Sequence, residues 1–338
     1  VRALASVDPN GVRFDAGRPG GHVESYFLKI NDPARPRALW VKSTILAAPG
    51  RPPVAEAWAI AFDRERGHVA LKTEVPYDAA RFGGPGPLDV EVAGCTMTDA
   101  RVRGELARGG QRIAWDLAIE SLAPTLYLLP DARMYTGPFP SSKSLSPKPD
   151  LRAKGSVEVD RERWEVDLWP GLLGHNWGKR HAPLYAWGHA STWDEAPARP
   201  GEPSELVFEG VSARVAVGPL SLPPLTVLCF RFRGVRYELS RPTDLVRTTA
   251  RIAPRQWTFS GKNDIVSVEG ELWADTADFV GLRYRNPRGP ETHCLNTKLA
   301  RARLEISFSG RAPRVFRSSA AALEIGTHDV RHGIRMMA

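Results

Sequence analysis

Two tandem antiparallel β-barrels of lipocalin-like type are the fold the sequence predicts, within an all-β class that rests on three observations. Apolar residues recur with a period of two almost everywhere between Val23 and Phe308. Gly, Pro and Asp separate the runs, and no convincing amphipathic helix longer than about ten residues interrupts them. The 338 residues suit two domains, or one large all-β unit, better than a single small module. Strand and helix do not alternate, which excludes a parallel βαβ sheet. Neither G-x-G-x-x-G opening a helix nor G-x-x-x-x-G-K-[ST] occurs, so the familiar phosphate cradles are missing.

The individual runs carry the same signature. Glu56, Trp58, Ile60 and Phe62 share one face of a strand, and Ala55, Ala57, Ala59 and Ala61 the other. Leu228, Phe230 and Phe232 alternate with Cys229, Arg231 and Arg233, and Ala302, Leu304, Ile306 and Phe308 alternate with Arg301, Arg303, Glu305 and Ser307. Each pattern sets one face on a core and one in water. Gly109-Gly110 predicts a hairpin turn, as does the segment Asp160–Arg163. Two Pro-rich polar stretches, Gly137–Pro149 and Glu195–Pro203, read as linkers. Because Lys154–Leu168 reads as a hairpin that closes the first barrel, the junction falls near Gly178–Tyr185. The domains expected are residues 1–180 and 181–338, and a barrel of about eight strands leaves an interior able to hold one small ligand.

Composition narrows the function. Hydrophobic residues at 42% and charged residues at 25%, with 30 Gly and 29 Pro, exclude disorder and collagen-like repetition. The net charge is +8, but it comes from single Arg residues scattered through strand-like text, so no nucleic-acid partner is expected. No apolar run approaches a membrane span, and the N-terminus lacks the order of a signal peptide. A cytoplasmic protein is expected, its charge allowing peripheral contact with a membrane. Cys95, Cys229 and Cys294 are odd in number and widely spaced, which fits buried thiols.

Aromatic residues are where function concentrates. There are ten Trp in the chain, four of them (Trp169, Trp177, Trp187, Trp193) within Trp169–Trp193 beside His175, His181 and His189. The His intervals match no metal spacing, and no metal is expected. His and Asn groups among aromatic rings are what an apolar pocket with a few oriented polar groups requires, and a buried plug between the domains would show the same text. Glu56, beside Trp58, would have a raised pKa if its face lined a barrel and could then donate a proton. At a rim, or paired with Arg37 or Arg51, it would not.

Three segments resemble a known superfamily: His22–Lys42 with Ala55–Gly67, the central GHNWGKRHAPLYAWGH (Gly174–His189), and the late GLRYRNPRG and CLNTKLARARLEI (Gly281–Gly289, Cys294–Ile306). They are similar to the tandem lipocalin-like proteins that include carotenoid 1,2-hydratase (hydroxyneurosporene synthase), the AttH proteins and, distantly, tocopherol cyclase. The most specific element is H-N-W-G, with E-x-Y-F (Glu24–Phe27) a weaker support. The resemblance implies two lipocalin-type barrels, no cofactor, and acid-type chemistry on a polyene or prenyl chain. Such chemistry protonates an alkene and captures the cation with water or an internal hydroxyl.

In the hydratases an acidic residue typically precedes H-N-W-G, whereas here the position is Gly174. The proton would then come from Glu24 or Glu56, ranked ahead of His175 because a neutral imidazole is a poor donor to an alkene. Glu24, Glu56 and His175 are thus the candidate catalytic residues. Tyr26, Trp58, Asn176, Trp177, Tyr185 and Trp187 are the candidate ligand-binding residues. Three functions stay open at this point: a cofactor-independent lyase or isomerase (cyclisation, hydration or isomerisation) acting on a terpenoid, polyene or lipid-like small molecule, a non-catalytic carrier of an apolar ligand, and a structural or partner-binding role.

Overall fold

The structure is a computed structural model that describes residues 4–18, 20–196, 201–214, 216–217, 220–221 and 224–338. It is all-β, with two large antiparallel sheets in tandem. The first is built from β1 (His22–Asn31), β2 (Arg37–Ala47), β3 (Val54–Asp63), β4 (Val69–Pro76), β5 (Arg81–Phe82), β6 (Asp89–Val92), β7 (Cys95–Thr98), β8 (Arg101–Arg108), β9 (Gln111–Ser121), β10 (Leu126–Tyr127), β11 (Ser142–Val159) and β12 (Glu162–Gly178). The rest of the chain supplies β13 (Leu184–Ala190), β14 (Leu206–Ala213), β15 (Ala216–Val217), β16 (Leu220–Ser221), β17 (Leu225–Phe232), β18 (Val235–Leu239), β19 (Thr248–Ala253), β20 (Gln256–Lys262), β21 (Val266–Trp273), β22 (Val280–Tyr284), β23 (Thr292–Phe308) and β24 (Arg314–Thr327). Strands β15 and β16 pair only with each other. Among the described residues no helix is long and apolar enough to cross a membrane.

Both sheets follow one plan. The first runs β4-β3-β2-β1-β12-β11-β9-β8-β7-β6-β5, with β10 beside β11. The second runs β18-β17-β14-β13-β24-β23-β21-β20-β19, with β22 beside β23. In each, the first strand pairs with the last, β1 with β12 and β13 with β24, which curls the sheet round its own core. The first interior holds Tyr26, Leu28, Val41, Trp115, Trp164 and Trp169, and the second Phe208, Phe230, Trp257, Phe259, Leu304 and Phe316. Each buried side chain of this size stabilises the fold by about 2–3 kcal/mol.

The hairpins form as predicted. Gly109 and Gly110 both have positive φ (59° and 82°) between β8 and β9, and Asp160 (φ 54°) turns β11 into β12. Residues 142–149, expected in a linker, are instead the start of β11. Its pairing with β12 shifts register between Leu145 and Lys148 and again between Lys148 and Leu151, where Pro147 and Pro149 sit. Proline cannot donate to a ladder, and a bulge is where a sheet tolerates it. Of Glu195–Pro203, residues 197–200 lie outside the described residues.

Strands β1, β2 and β3 are buried on both faces. Their inner face lines the first core. Their outer face, with Phe27, Trp40, Trp58, Ile60 and Phe62, meets Val280, Leu282, Tyr284 and Leu299 of the second sheet. The expected aromatic cluster is dispersed by this arrangement: Trp169 lies in the first core, Trp193 in the second, Trp187 at the seam between the sheets, and Trp177 under the N-terminal segment. One plug between the halves would have needed all four on one face.

Candidate active site

Four predicted residues gather at the mouth of the first barrel. Glu24 and Tyr26 on β1 face Trp177 and His175 on β12 in register. His175 stacks on Tyr26 with ring centroids 4.0 Å apart. The chain from Val7 to Phe14 crosses this mouth as a strap held by these side chains. Glu24 accepts from the backbone N–H of Arg13 (2.8 Å) and Phe14 (2.8 Å), Tyr26 donates to the Asn10 carbonyl (2.8 Å), and His175 Nδ1 to the Pro9 carbonyl (2.8 Å). His175 Nε2 donates to Glu24 Oε1 at 2.9 Å, so both ring nitrogens face oxygens that only accept.

Burial raises the pKa of Glu24, but the hydrogen bonds from His175 and His22 outweigh it and hold the carboxyl at about 2. It is ionised at neutral pH and anchors the strap. Asn176 sits on the opposite face of β12, half-buried and apart from this group.

The other predicted residues lie on the seam. The face that carries Glu56 and Trp58 turns outward from the first barrel, so Glu56 lines no barrel interior. Its carboxylate pairs with Lys72 (2.7 Å) and Arg285 (2.5 Å) and accepts from Trp58 Nε1 (3.1 Å). Burial works against the charge, yet the two cations prevail and keep the Glu56 pKa below its usual range. Of the two readings of Glu56, the paired carboxylate is the one found, with Lys72 and Arg285 in place of Arg37 or Arg51, and the raised carboxyl is not. Beside this group Tyr284 meets Trp58 edge-on at 5.7 Å and carries the Lys42 ammonium 3.9 Å above its ring. Burial lowers the pKa of Lys42, and it lowers that of His181, 5.0 Å from Tyr284 ring to ring, to about 4.

Tyr185 covers the neighbouring Gly326, where an added Cβ would come within 1.8 Å of the tyrosine ring. Gly326→Ala is expected to cost roughly 1–3 kcal/mol through overpacking, read as a lowered denaturant midpoint. Further along the seam Lys29 Nζ donates to Asn31 Oδ1 (2.7 Å), Asn31 to the Lys298 carbonyl (2.6 Å), and Lys298 Nζ to Asn296 Oδ1 (2.6 Å) and Glu324 Oε1 (2.7 Å). The Lys298 ammonium lies 5.3 Å from the ring of Trp187.

Trp187 leads to a residue that the sequence analysis missed. Its Nε1 donates to Glu209 Oε1 at 3.0 Å, and Ser146 Oγ lies 2.7 Å from Oε2. Glu209 is fully buried on β14, and no cation pairs with it among the described residues. Burial drives its pKa up to about 7, against the lowering effect of the Ser146 and Trp187 hydrogen bonds. A serine hydroxyl can also accept, so a protonated carboxyl can carry its proton on Oε2 toward Ser146 and keep Oε1 for the indole. The sequence signal was a single Glu inside the apolar run Leu206–Val211, whose strand partner Cys229 is also buried.

Gly174, where the hydratases carry an acid, lies on the same seam. Phe27 fills its place, the ring lying 2.3 Å from where a Cβ would be, and Phe27 meets Trp187 edge-on at 5.5 Å. A groove of about 680 Å³ opens between the strap and β17–β18, with Val7, Pro9, Tyr127, Arg231 and Arg236 among its walls. The buried cluster of Leu126, Leu128 and Cys229, backed by Val211 and Val227, adjoins this groove and includes the strand partner of Glu209.

Comparison with known proteins follows the fold. No family model matches the chain. Two uncharacterized proteins of Mycobacterium tuberculosis, one from each of two strains, are 26% identical over 294 residues, 85% of this chain and 82% of theirs. Among solved structures, the Nitrosomonas europaea protein assigned as AttH superposes with a TM-score of 0.54 at 13% identity, over 93% of this chain and 99% of that one. Kievitone hydratase from Nectria haematococca superposes with a TM-score of 0.53 at 10% identity, over 95% and 96%. At these identities the likeness is one of fold, and it places the chain's architecture with that of an AttH protein and a hydratase.

Proposed function

We propose that the protein is a cofactor-independent enzyme that adds water, or an internal hydroxyl, to an alkene of a hydrophobic terpenoid or polyene-like substrate at the seam between the sheets. The observation that carries this reading is the Glu209 carboxyl: buried, uncharged up to about pH 7, and set against the indole of Trp187. A carboxylic acid kept neutral near working pH is what alkene protonation needs. The fold likeness to a hydratase and the sequence resemblance support the same reaction class.

In the step envisaged, the Glu209 O–H bond breaks and a C–H bond forms on the alkene, leaving a carbocation. The aromatic faces of Trp187 and Phe27 favour that cation. Water or the internal hydroxyl forms the new C–O bond and returns its proton to the Glu209 carboxylate, so the acid is regenerated. Glu209 takes the donor role in place of Glu24 and Glu56, whose carboxyls are held in the ionised form, and it approaches the seam on which Gly174 leaves no acid.

A carrier with its ligand inside a barrel is the weaker reading, because aromatic side chains fill both interiors. Incubation with a panel of terpenoids and polyenes in D2O tests the enzyme: a product carrying one new C–D bond is expected. Recovery of every panel member unchanged and undeuterated would overturn the proposal.

A further inference from the structure

The groove near Glu209 carries one guanidinium, Arg231, that no carboxylate pairs with among the described residues. Arg231 and Arg236 stand side by side in its wall. Arg231 bonds only carbonyls, Gly234 at 3.2 Å and Thr125 at 3.4 Å. Arg236 gives Nη2 to the Tyr127 carbonyl (2.7 Å) and to Glu238 (2.6 Å). The Nε–H of both arginines is buried without a partner among the described residues. Asp8, also in the groove wall, is held by the backbone N–H groups of Asn10, Gly11 and Gly86, and no ion pair joins it to either arginine among the described residues. Two adjacent guanidinium groups with unused donors form a fork suited to one anionic head.

The side chains packed between this fork and Glu209 are apolar. The Tyr127 carbonyl that receives Arg236 also receives the Cys229 thiol at 3.5 Å, and Cys229 is the strand partner of Glu209. Leu126, Leu128, Val211 and Val227 pack round that thiol.

We propose that the groove binds the anionic head of an amphipathic substrate, a carboxylate or a phosphate monoester, through Arg231 and Arg236, with the hydrocarbon tail directed along Leu126 and Leu128 toward Glu209. This rests on the reading of Glu209 as the proton donor only for the direction of the tail. The head-group site stands on the arginine pair.

Calorimetric titration of the full chain with dodecanoate, dodecyl phosphate and dodecanol, each below its micelle concentration, tests it. Either anion is expected to bind about tenfold or more tightly than the alcohol, with an advantage that shrinks as salt rises. Whichever anion binds more tightly identifies the head group. Arg231→Gln is expected to abolish the advantage and Arg231→Lys to retain part of it; should the Gln variant fail to fold, the salt dependence of the native protein carries the same test. Equal binding of alcohol and anions, or no binding of any of the three, overturns the proposal. Glu209→Gln separates the two readings: it is expected to keep the anion preference while losing turnover. A variant that keeps both would leave the anion site standing and remove Glu209 from the chemistry.

Discussion

Glu209→Gln is expected to lower turnover of an alkene substrate by about 10²–10⁴-fold, the usual contribution of a positioned general acid. The amide keeps the shape and can still accept from Trp187 Nε1, so circular dichroism should be unchanged. Activity of the native protein should fall as pH rises through about 7, where Glu209 loses its proton. The same group leaves a mark on stability. Its pKa is about 7 when folded against an ordinary 4.5, so the unfolded chain releases the proton first. The stability present below pH 4.5 is therefore lost as pH rises to about 7, by about 3 kcal/mol, and is constant above that. Denaturant midpoints measured from pH 4 to 8 should show this fall in the native protein and a flatter course in the Gln variant. Equal slopes would mean that Glu209 is already ionised at pH 5.

Glu24→Gln should destabilise the fold by about 3–5 kcal/mol, because it removes the buried carboxylate on which His175, His22 and the strap converge. It also turns an amide N–H toward the backbone donors of Arg13 and Phe14, which the carboxylate now satisfies. Glu24 is held at about 2 against an ordinary 4.5, the reverse case from Glu209. Its contribution is full above pH 4.5 and disappears as pH falls toward 2, so native and variant midpoints should converge in acid. Limited proteolysis at pH 7 gives a second readout, with cleavage between Val7 and Phe14 appearing in the variant. If Glu24 were instead the proton donor, the variant would lose turnover with its midpoint unchanged.

The class and the architecture were legible because they depend on local rules. The period of two in Leu228–Phe232 and the glycine pair 109–110 fix strand and turn wherever the rest of the chain lies. Faces were harder. On β3 both sets of alternating residues are apolar, since one lines a core and the other a seam, so the text could not say that Glu56 points away from the barrel. Nor could it supply Arg285, which reaches Glu56 from 229 positions further on. Glu24 and His175 were singled out separately; that they meet, and that a strap claims their hydrogen bonds, are tertiary facts. Glu209 escaped because its meaning lies in the absence of a cation, and absence is not written in a sequence. The prolines of β11 misled for a simpler reason: they read as a linker until the bulges that house them are known.

Pairing the first strand of each sheet with its last also governs how the chain reaches this structure. The Glu24–His175 contact spans 151 residues, so neither the mouth nor its strap can form until nearly the whole first half is available. Hairpins such as β8–β9 close over a few residues and can assemble early, whereas the β1–β12 ladder must wait for the entropy cost of a very long loop to be met. Each half should therefore fold slowly and cooperatively. On a ribosome, the outer faces of β1 to β3 would stay uncovered while the second half is still being made, a stretch of exposed aromatic surface that favours aggregation during vectorial synthesis.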